Sequence, residues 1–304
     1  MTASTSVPRP LGAAAGLVFD RLFAEPSTSW HPLVHFGRIM NEFEATGFRD
    51  QRQAGVIHAV FGTALGVSAG TMIRSTALAT GLAVGGRSLC EAAGHVSAAL
   101  TRGEIDAARG LLPTLVGRDP SRLDEAGIAR AAVESVAENT VDAVVAPALF
   151  GALAGAPGAL GYRAINTMDA MVGHKSPRYL HYGWASARLD DVANWAPARC
   201  TAALVSMVRP SKVREIHRAV TVQAPRQPSP NAGVAEAAFA AALGLQLGGT
   251  NDYGDRVEER APLGSGRPAE SEDIVKAIRL CRDVTVALAA ILGTVGLSQW
   301  WSRR

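Results

Sequence analysis

Cysteine is scarce in this 304-residue chain: Cys90, Cys200 and Cys281 are odd in number, far apart and without C-x-x-C spacing. That excludes a disulfide scaffold and argues against a zinc site, leaving three buried free thiols as the expectation. Lysine is as rare. Lys175, Lys212 and Lys276 leave 27 of the 30 cations to arginine, and the net charge is only +3. With no polybasic face, nucleic acid is not an expected partner. Runs of alternating β-branched residues are also nearly absent, while Ala, Leu, Glu and Arg dominate, so the fold class is mostly α. A mean hydropathy of +0.11 excludes a disordered chain.

What the chain does have is apolar length. A helix needs about 20 apolar residues to cross ~30 Å of hydrocarbon. Residues 53–73 carry no charge apart from a possible His58, and after Arg74 residues 75–86 are again uncharged, which makes one long or two short helices. Residues 143–162 are uncharged, with Pro147 and Pro157 expected to kink them or break them into embedded pieces. Residues 284–301 end in Trp300-Trp301 before Arg303-Arg304, an aromatic anchor followed by cations. Small residues four apart, at Gly62, Gly66 and Gly70 and at Gly151 and Gly155, let helix backbones approach closely. The reading is a single polytopic, membrane-embedded helical domain, 1–304, with polar loops carrying the site.

Two further stretches are interrupted by charge, 196–208 by Arg199 and 232–247 by Glu236, so those side chains should face a polar interior. Residues 209–230 hold Arg209, Lys212, Arg214, Arg218 and Arg226 against Glu215 alone, which marks a cytoplasmic loop. If 196–208 spanned fully, 163–197 would lie on the opposite side from that loop. The Arg199 segment is therefore expected to be re-entrant or to lie within the protein.

Chemistry-bearing residues cluster in the polar connections. Glu134, Glu138 and Asp142 fall at i, i+4 and i+8 of an expected helix, with Asn139 beside them. Three such carboxylates repel one another unless a cation intervenes. Asn166-Thr-Met-Asp169 leads into Gly173-His-Lys175, and Ala187-Arg188-Leu-Asp190-Asp191-Val-Ala-Asn194 follows. Adjacent Asp residues offer hard oxygens to Mg²⁺, which takes one or two carboxylates and fills its shell with phosphate and water. Lys175 and Arg188 bring positive charge, as a phosphate-handling site needs. A plain Asp190–Arg188 surface pair is the blander alternative. Gly117-Arg118-Asp119-Pro120 reads as a turn or as a clamp on an anionic substrate, and Ser229-Pro230-Asn231 as a cap opening the helix that carries Glu236. No P-loop, G-x-G-x-x-G, H-E-x-x-H or G-x-S-x-G occurs, so any ATP site lacks those signatures.

Taken in order, these motifs resemble the CobD/CbiB family of membrane-embedded adenosylcobinamide-phosphate synthases. The resemblance runs from His31-Pro32 through Gly117-Arg118-Asp119, the Glu134–Asp142 helix, Asn166-Thr-Met-Asp169, the Arg188–Asn194 helix and Ser229-Pro230-Asn231 to Leu247-Gly-Gly-Thr-Asn-Asp-Tyr253-Gly. Two positions depart: the family's early Gly-Asp-Pro is Ala24-Glu25-Pro26, and its Gly-Tyr-Lys is Gly173-His174-Lys175.

The resemblance implies an ATP-dependent ligase joining (R)-1-aminopropan-2-ol or its phosphate to adenosylcobyric acid. It implies Mg²⁺ on Glu138, Asp190 and Asp191. Lys175, Arg188 and Arg118 would face phosphate, and Glu134 or Asp169 would accept the ammonium proton. Substrate contacts would come from Arg118, Asp119, Asn139, Asn166, Asn194 and Asn231. Its partners would be the corrinoid and amine substrates, the bilayer and other membrane enzymes of the corrin pathway, with the site on the cytoplasmic face of the cell membrane. The rivals are a polytopic Mg²⁺-dependent phosphotransferase or prenyltransferase, whose paired D-x-x-D boxes are absent, and a transporter or non-catalytic membrane partner, whose inverted half-to-half symmetry is not visible.

Overall fold

The computed structural model describes residues 7–23, 32–117, 119–174, 176–252 and 257–304. Glu25, His31, Arg118, Lys175 and Tyr253 lie outside the described residues. The described chain is mostly α, and it divides into two compact units, each assembled from separated stretches of sequence.

The first unit comprises residues 1–85, 146–194 and 288–304. Its helices are α1 (Arg9–Leu22), α2 (Pro32–Gly47), α3 (Arg52–Ile73), α4 (Thr76–Ala83), α8 (Ala146–Met168) and α9 (Trp184–Ala193). The stretch 53–86, uncharged but for Arg74, holds two helices, because Arg74 adopts a left-handed conformation (φ 59°) and Ser75 caps α4 through Leu78 N–H. The glycine stripe of α3 faces α8: a β-carbon on Gly66 would sit 2.6 Å from the Ala164 β-carbon, and one on Gly70 2.5 Å from the Ala156 carbonyl oxygen. Only hydrogen lets these backbones pack at that separation.

At Gly155 (φ 73°, ψ −155°) α8 turns back on itself. Phe150 and Tyr162 stack with centroids 5.2 Å apart, although twelve residues of straight helix would separate them by about 18 Å. The expected break in 143–162 is therefore a helical hairpin, placed by a glycine in a region closed to other residues, with Pro157 just beyond. Its tip, Leu153, is 74% exposed. Val56, Ile57, Val60, Phe61, Val67 and Met72 are exposed along α3, and Val295, Leu297 and Trp301 at the chain's end. An apolar outer surface of that extent belongs against lipid. Arg52–Ile73, Glu125–Gly173 and Ser271–Trp301 are long and apolar enough to cross a membrane, although the second contains the hairpin.

The second unit comprises residues 86–145 and 195–287. Here α7 (Glu125–Thr140) and α12 (Ala232–Leu243) are buried on nearly every face, as their Ala and Val content requires. Around them lie α5 (Gly86–Thr101), α6 (Ile105–Leu111), α10 (Trp195–Val208), α11 (Val213–Arg218) and the first part of α13 (Ser271–Trp301). Although alternating β-branched runs are nearly absent, a three-stranded sheet forms, ordered β2-β1-β3 (β1 Leu245–Asp252, β2 Val257–Leu263, β3 Arg267–Pro268). β2 runs antiparallel and β3 parallel to β1, with a bulge between Leu247 and Gly249.

Two more expectations are revised here. After α7 a π-turn covers Val141–Val145, just ahead of Pro147, whose missing N–H cannot bond the residue 143 carbonyl. Asp142 lies in that π-turn, beyond the α-helix that carries Glu134 and Glu138, so the regular helix expected over 134–142 ends at Thr140. Of the cysteines, Cys90 and Cys281 are buried as expected but Cys200 is exposed.

Candidate functional site

In the first unit the returning arm of the hairpin and α9 bring two sequence motifs together. Asn166 donates an amide N–H to Asp190 Oδ1 at 3.3 Å, and Asn194 donates to Asp190 Oδ2 at 3.0 Å. Tyr162, itself buried, donates its hydroxyl to Asn194 Oδ1 at 2.7 Å, and Arg163 donates to Asn166 Oδ1 at 3.4 Å. Spacings of four, Tyr162 to Asn166 and Asp190 to Asn194, put each pair on one helix face. The Asp190 carboxylate is thus held from both sides in one orientation.

Next to it, Asp191 pairs with Arg188 across one helical turn at 3.5 Å. Burial pushes the Asp191 carboxyl above the usual range, and Arg188 opposes that shift. Asp169 opens a π-turn, Asp169–Gly173, with its carboxylate folded over Gly173.

A second acidic pair reaches the same stretch of chain from α2 and the α2–α3 corner, and nothing in the sequence pointed to it. Glu44, buried, accepts from Arg178 Nη2 at 2.9 Å and from the Tyr179 hydroxyl at 3.0 Å. Asp50 accepts the backbone N–H groups of His181 and Tyr182, each at 2.9 Å, and its other oxygen lies 2.9 Å from His181 Nδ1. The His181 ring bond leads the causes that hold Asp50 below the usual carboxylate range. Burial raises the Tyr182 phenol to about 12. These five bonds seat the segment that leads into α9.

The second unit holds the remaining residues singled out in the sequence. Glu134 is buried and accepts the Gly248 N–H at 2.9 Å, while Arg130 donates to the Thr250 carbonyl at 2.9 Å and to that of Gly248. Together they fasten the bulged strand β1 to α7. Glu138 is half-buried. Asn139 turns back on its own helix, donating to the Ser135 carbonyl at 3.0 Å, and Ser135 donates to the Leu115 carbonyl.

Asp119 is exposed and accepts the Ser121 N–H at 2.9 Å, the turn that Asp-Pro suggested, and this bond lowers its pKa. Asn231 is buried and accepts from Arg199 at 3.1 Å, and Arg199 also bonds the Trp195 carbonyl and covers the Trp195 ring at 4.5 Å. The cap on α12 comes from Ser229, whose hydroxyl oxygen accepts the Ala232 N–H. Glu236 is matched by Arg260 at 3.4 Å. Arg199 and Glu236 do face polar partners within the protein.

Comparison with known proteins settles the family. Residues 13–281 match the model of the family described as CobD/Cbib protein. The chain belongs to the CobD/CbiB family. It is 45% identical to the cobalamin biosynthesis protein CobD of Mycobacterium tuberculosis, covering 97% of this chain and 98% of that one. It is 39% identical to the CobD of Chromobacterium violaceum, over 92% and 96% of the two chains. Against the CobD of Rhizobium meliloti it is 38% identical, over 90% and 94%. No solved structure matches. Within the family match lie both halves of the Asp190 network and the Glu134–Gly248 bond.

Proposed function

We propose that this cobalamin-biosynthesis family member is an ATP-dependent amide ligase. It joins a free carboxyl of adenosylcobyric acid to the amine of (R)-1-aminopropan-2-ol or its phosphate, giving adenosylcobinamide or its phosphate. The observation that supports this best is the Asp190 carboxylate, gripped by Asn166 and Asn194 beside the Asp191–Arg188 pair. Hard oxygens and a guanidinium in one place suit a metal–nucleotide pair.

A carboxylate becomes an electrophile for an amine once its oxygen carries a phosphoryl group. Among the described residues no three His, Cys, Asp or Glu side chains converge as an all-protein metal cage. Mg²⁺ needs none, since one or two carboxylates suffice when phosphate and water complete the shell. Asp190 and Asp191 fit that limited role, and an ion bound there would supply charge neutralisation on the phosphate oxygens.

The protein's own groups do the rest. Arg188 balances negative charge as the acyl phosphate forms. Asn166 and Asn194, which hold Asp190, shape the substrate site. Of the two candidate proton acceptors, Asp169 shares a unit with the Asp190 network while Glu134 bonds Gly248 in the other, so proton acceptance from the incoming ammonium is assigned to Asp169.

The test is product analysis of membranes carrying the protein, supplied with adenosylcobyric acid, ATP and either amine. Asp191→Asn and Arg188→Ala variants, inserted at parental levels, should each lose about 10²-fold or more in amide formation, the scale at which removing a charge-stabilising group acts. Parental rates in both would overturn the assignment. Labelled phosphate passing from ATP to a lipid or prenyl acceptor would favour phosphotransfer instead.

A further inference from the structure

A side-chain amide has two ends of nearly the same shape and opposite hydrogen-bonding sense, so a carboxylate held by amides depends on which way each one faces. Around Asp190 both face it with nitrogen. Asn166 Nδ2 lies 3.3 Å from Oδ1, and Asn194 Nδ2 lies 3.0 Å from Oδ2. What fixes that choice lies one step further out, on the returning arm of the hairpin.

There the adjacent residues Tyr162 and Arg163 each donate to the far end of one amide. The Tyr162 hydroxyl bonds Asn194 Oδ1 at 2.7 Å, and Arg163 Nη1 reaches Asn166 Oδ1 at 3.4 Å. The first bond is the shorter and the deeper: Tyr162 is 1% and Asn194 2% exposed, so water is poorly placed to replace the phenol. Asn194 is already anchored by its backbone N–H on the Asp190 carbonyl, which leaves its side-chain torsions for the phenol to fix.

The Tyr162 ring is itself set by the fold-back. Phe150, on the outgoing arm, stacks on it with 13° between the ring planes. The hairpin thus delivers a hydroxyl to a carboxylate two hydrogen bonds away, through the chain Tyr162–Asn194–Asp190, and bonds linked in series polarise one another. A buried tyrosine ordinarily finds some partner for its O–H. This one is set apart because the other end of its partner grips a proposed metal ligand.

We propose that Tyr162 is a positioning residue of the Asp190 site: its hydroxyl holds the Asn194 amide with nitrogen toward Asp190, and so keeps that carboxylate fixed for a divalent cation. Arg163 holds Asn166 in the same sense, less tightly. The proposal rests on the metal-binding reading of Asp190 above. It adds a residue that stands at the end of an apolar stretch of sequence, and it gives the hairpin a share in the chemistry. Without the hydroxyl, Asn194 Oδ1 is buried with its donor gone, and the amide gains by turning away from Asp190.

The experiment uses the full chain in phosphatidylcholine nanodiscs with Mn²⁺ alone as the probe, free and bound ion being separated by electron paramagnetic resonance. The Asp190 site is the part of the binding that Asp190→Asn removes. Tyr162→Phe keeps the ring and its stacking, and should weaken that site by about tenfold, the lower end of what outer-shell partners of a metal ligand contribute. Asn194→Ala should weaken it at least as much. Adding Tyr162→Phe to Asn194→Ala should change nothing further, because the hydroxyl acts through the amide. Losses that add in full mean that the tyrosine acts by packing, and they overturn the proposal. Parental Mn²⁺ affinity in Tyr162→Phe overturns it too, and leaves the metal reading standing. If Asp190→Asn removes no Mn²⁺ at all, the metal reading falls and this proposal with it. If Mn²⁺ is weakened as described but no corrinoid amide ever forms, Tyr162 keeps its role and ligation is wrong.

Discussion

Glu134, a carboxylate in a suggestive motif, serves the backbone. Its oxygen accepts the Gly248 N–H, a task that a glutamine carbonyl oxygen performs equally well and an alanine not at all. Glu134→Gln should therefore keep most of the amide-forming activity and the thermal midpoint. Glu134→Ala should lose about 1–3 kcal/mol of stability by leaving that N–H unpaired in the interior. A dead but stably folded glutamine variant would return Glu134 to the list of proton acceptors.

Asp191 makes the opposite case. Burial raises its pKa in the folded state, so the ionised form costs stability above that raised value, and the cost disappears as pH falls and the carboxyl protonates. Asp191→Asn should thus unfold at a higher temperature than the parent near neutral pH. The gap should close toward the ordinary carboxylate range, even as activity is lost.

Among the elements, the α8 hairpin depends on glycine in two physically different ways, and alanine substitutions separate them. At Gly155 a β-carbon would find ordinary space, 3.4 Å from Arg9 Nε and Thr76 Oγ1, so the penalty is the backbone conformation itself, about 1–3 kcal/mol. At Gly70 the helical backbone is ordinary, but a β-carbon meets the Ala156 carbonyl at 2.5 Å, so α3 and α8 must separate. Gly155→Ala should lower the thermal midpoint in detergent while cross-linking between α3 and α8 persists. Gly70→Ala should weaken the cross-linking as well.

The sequence shows these glycines and the prolines near them, because apolar length and small-residue spacing act locally. It does not show the fold-back, which depends on a single φ/ψ pair. The sheet escaped notice for a similar reason: its longest strand contains Gly248 and Gly249 at positive φ and carries no β-branched alternation. The Asp190 network was half legible, since Asn166 and Asp190–Asn194 stand in separate motifs. Glu44 and Asp50 were invisible, their partners lying more than 130 residues away with no local pattern to announce them.

For the whole molecule, helix length bears on a question of sidedness that composition left open. Between Pro177 and Ser211 the chain forms α9, of 10 residues, and α10, of 14, about 21 Å at the longest. Neither alone covers ~30 Å of hydrocarbon, and Arg199 in α10, bonded to Trp195 and Asn231, keeps a charge partnered within the protein. The segment entering α9 should therefore share a side with the basic loop at 209–226, the cytoplasmic one under the positive-inside rule. In a Cys200→Ser background, single cysteines at Pro177 and Ser211, both exposed positions, should react with an impermeant maleimide only when the cytoplasmic face is open to it. Labelling from opposite faces would require α10 to cross.

The close fit of α3 against the hairpin also bears on how the protein is made. Ribosomes deliver α3 first, with its row of hydrogens where side chains would otherwise stand, and only later the two short arms that lean on it. Neither arm alone has the reach to anchor itself in a bilayer. The earlier helix is the mould in which they set, so truncation or mistargeting of α3 would leave the arms stranded, exposed to quality-control proteases before any chemistry began.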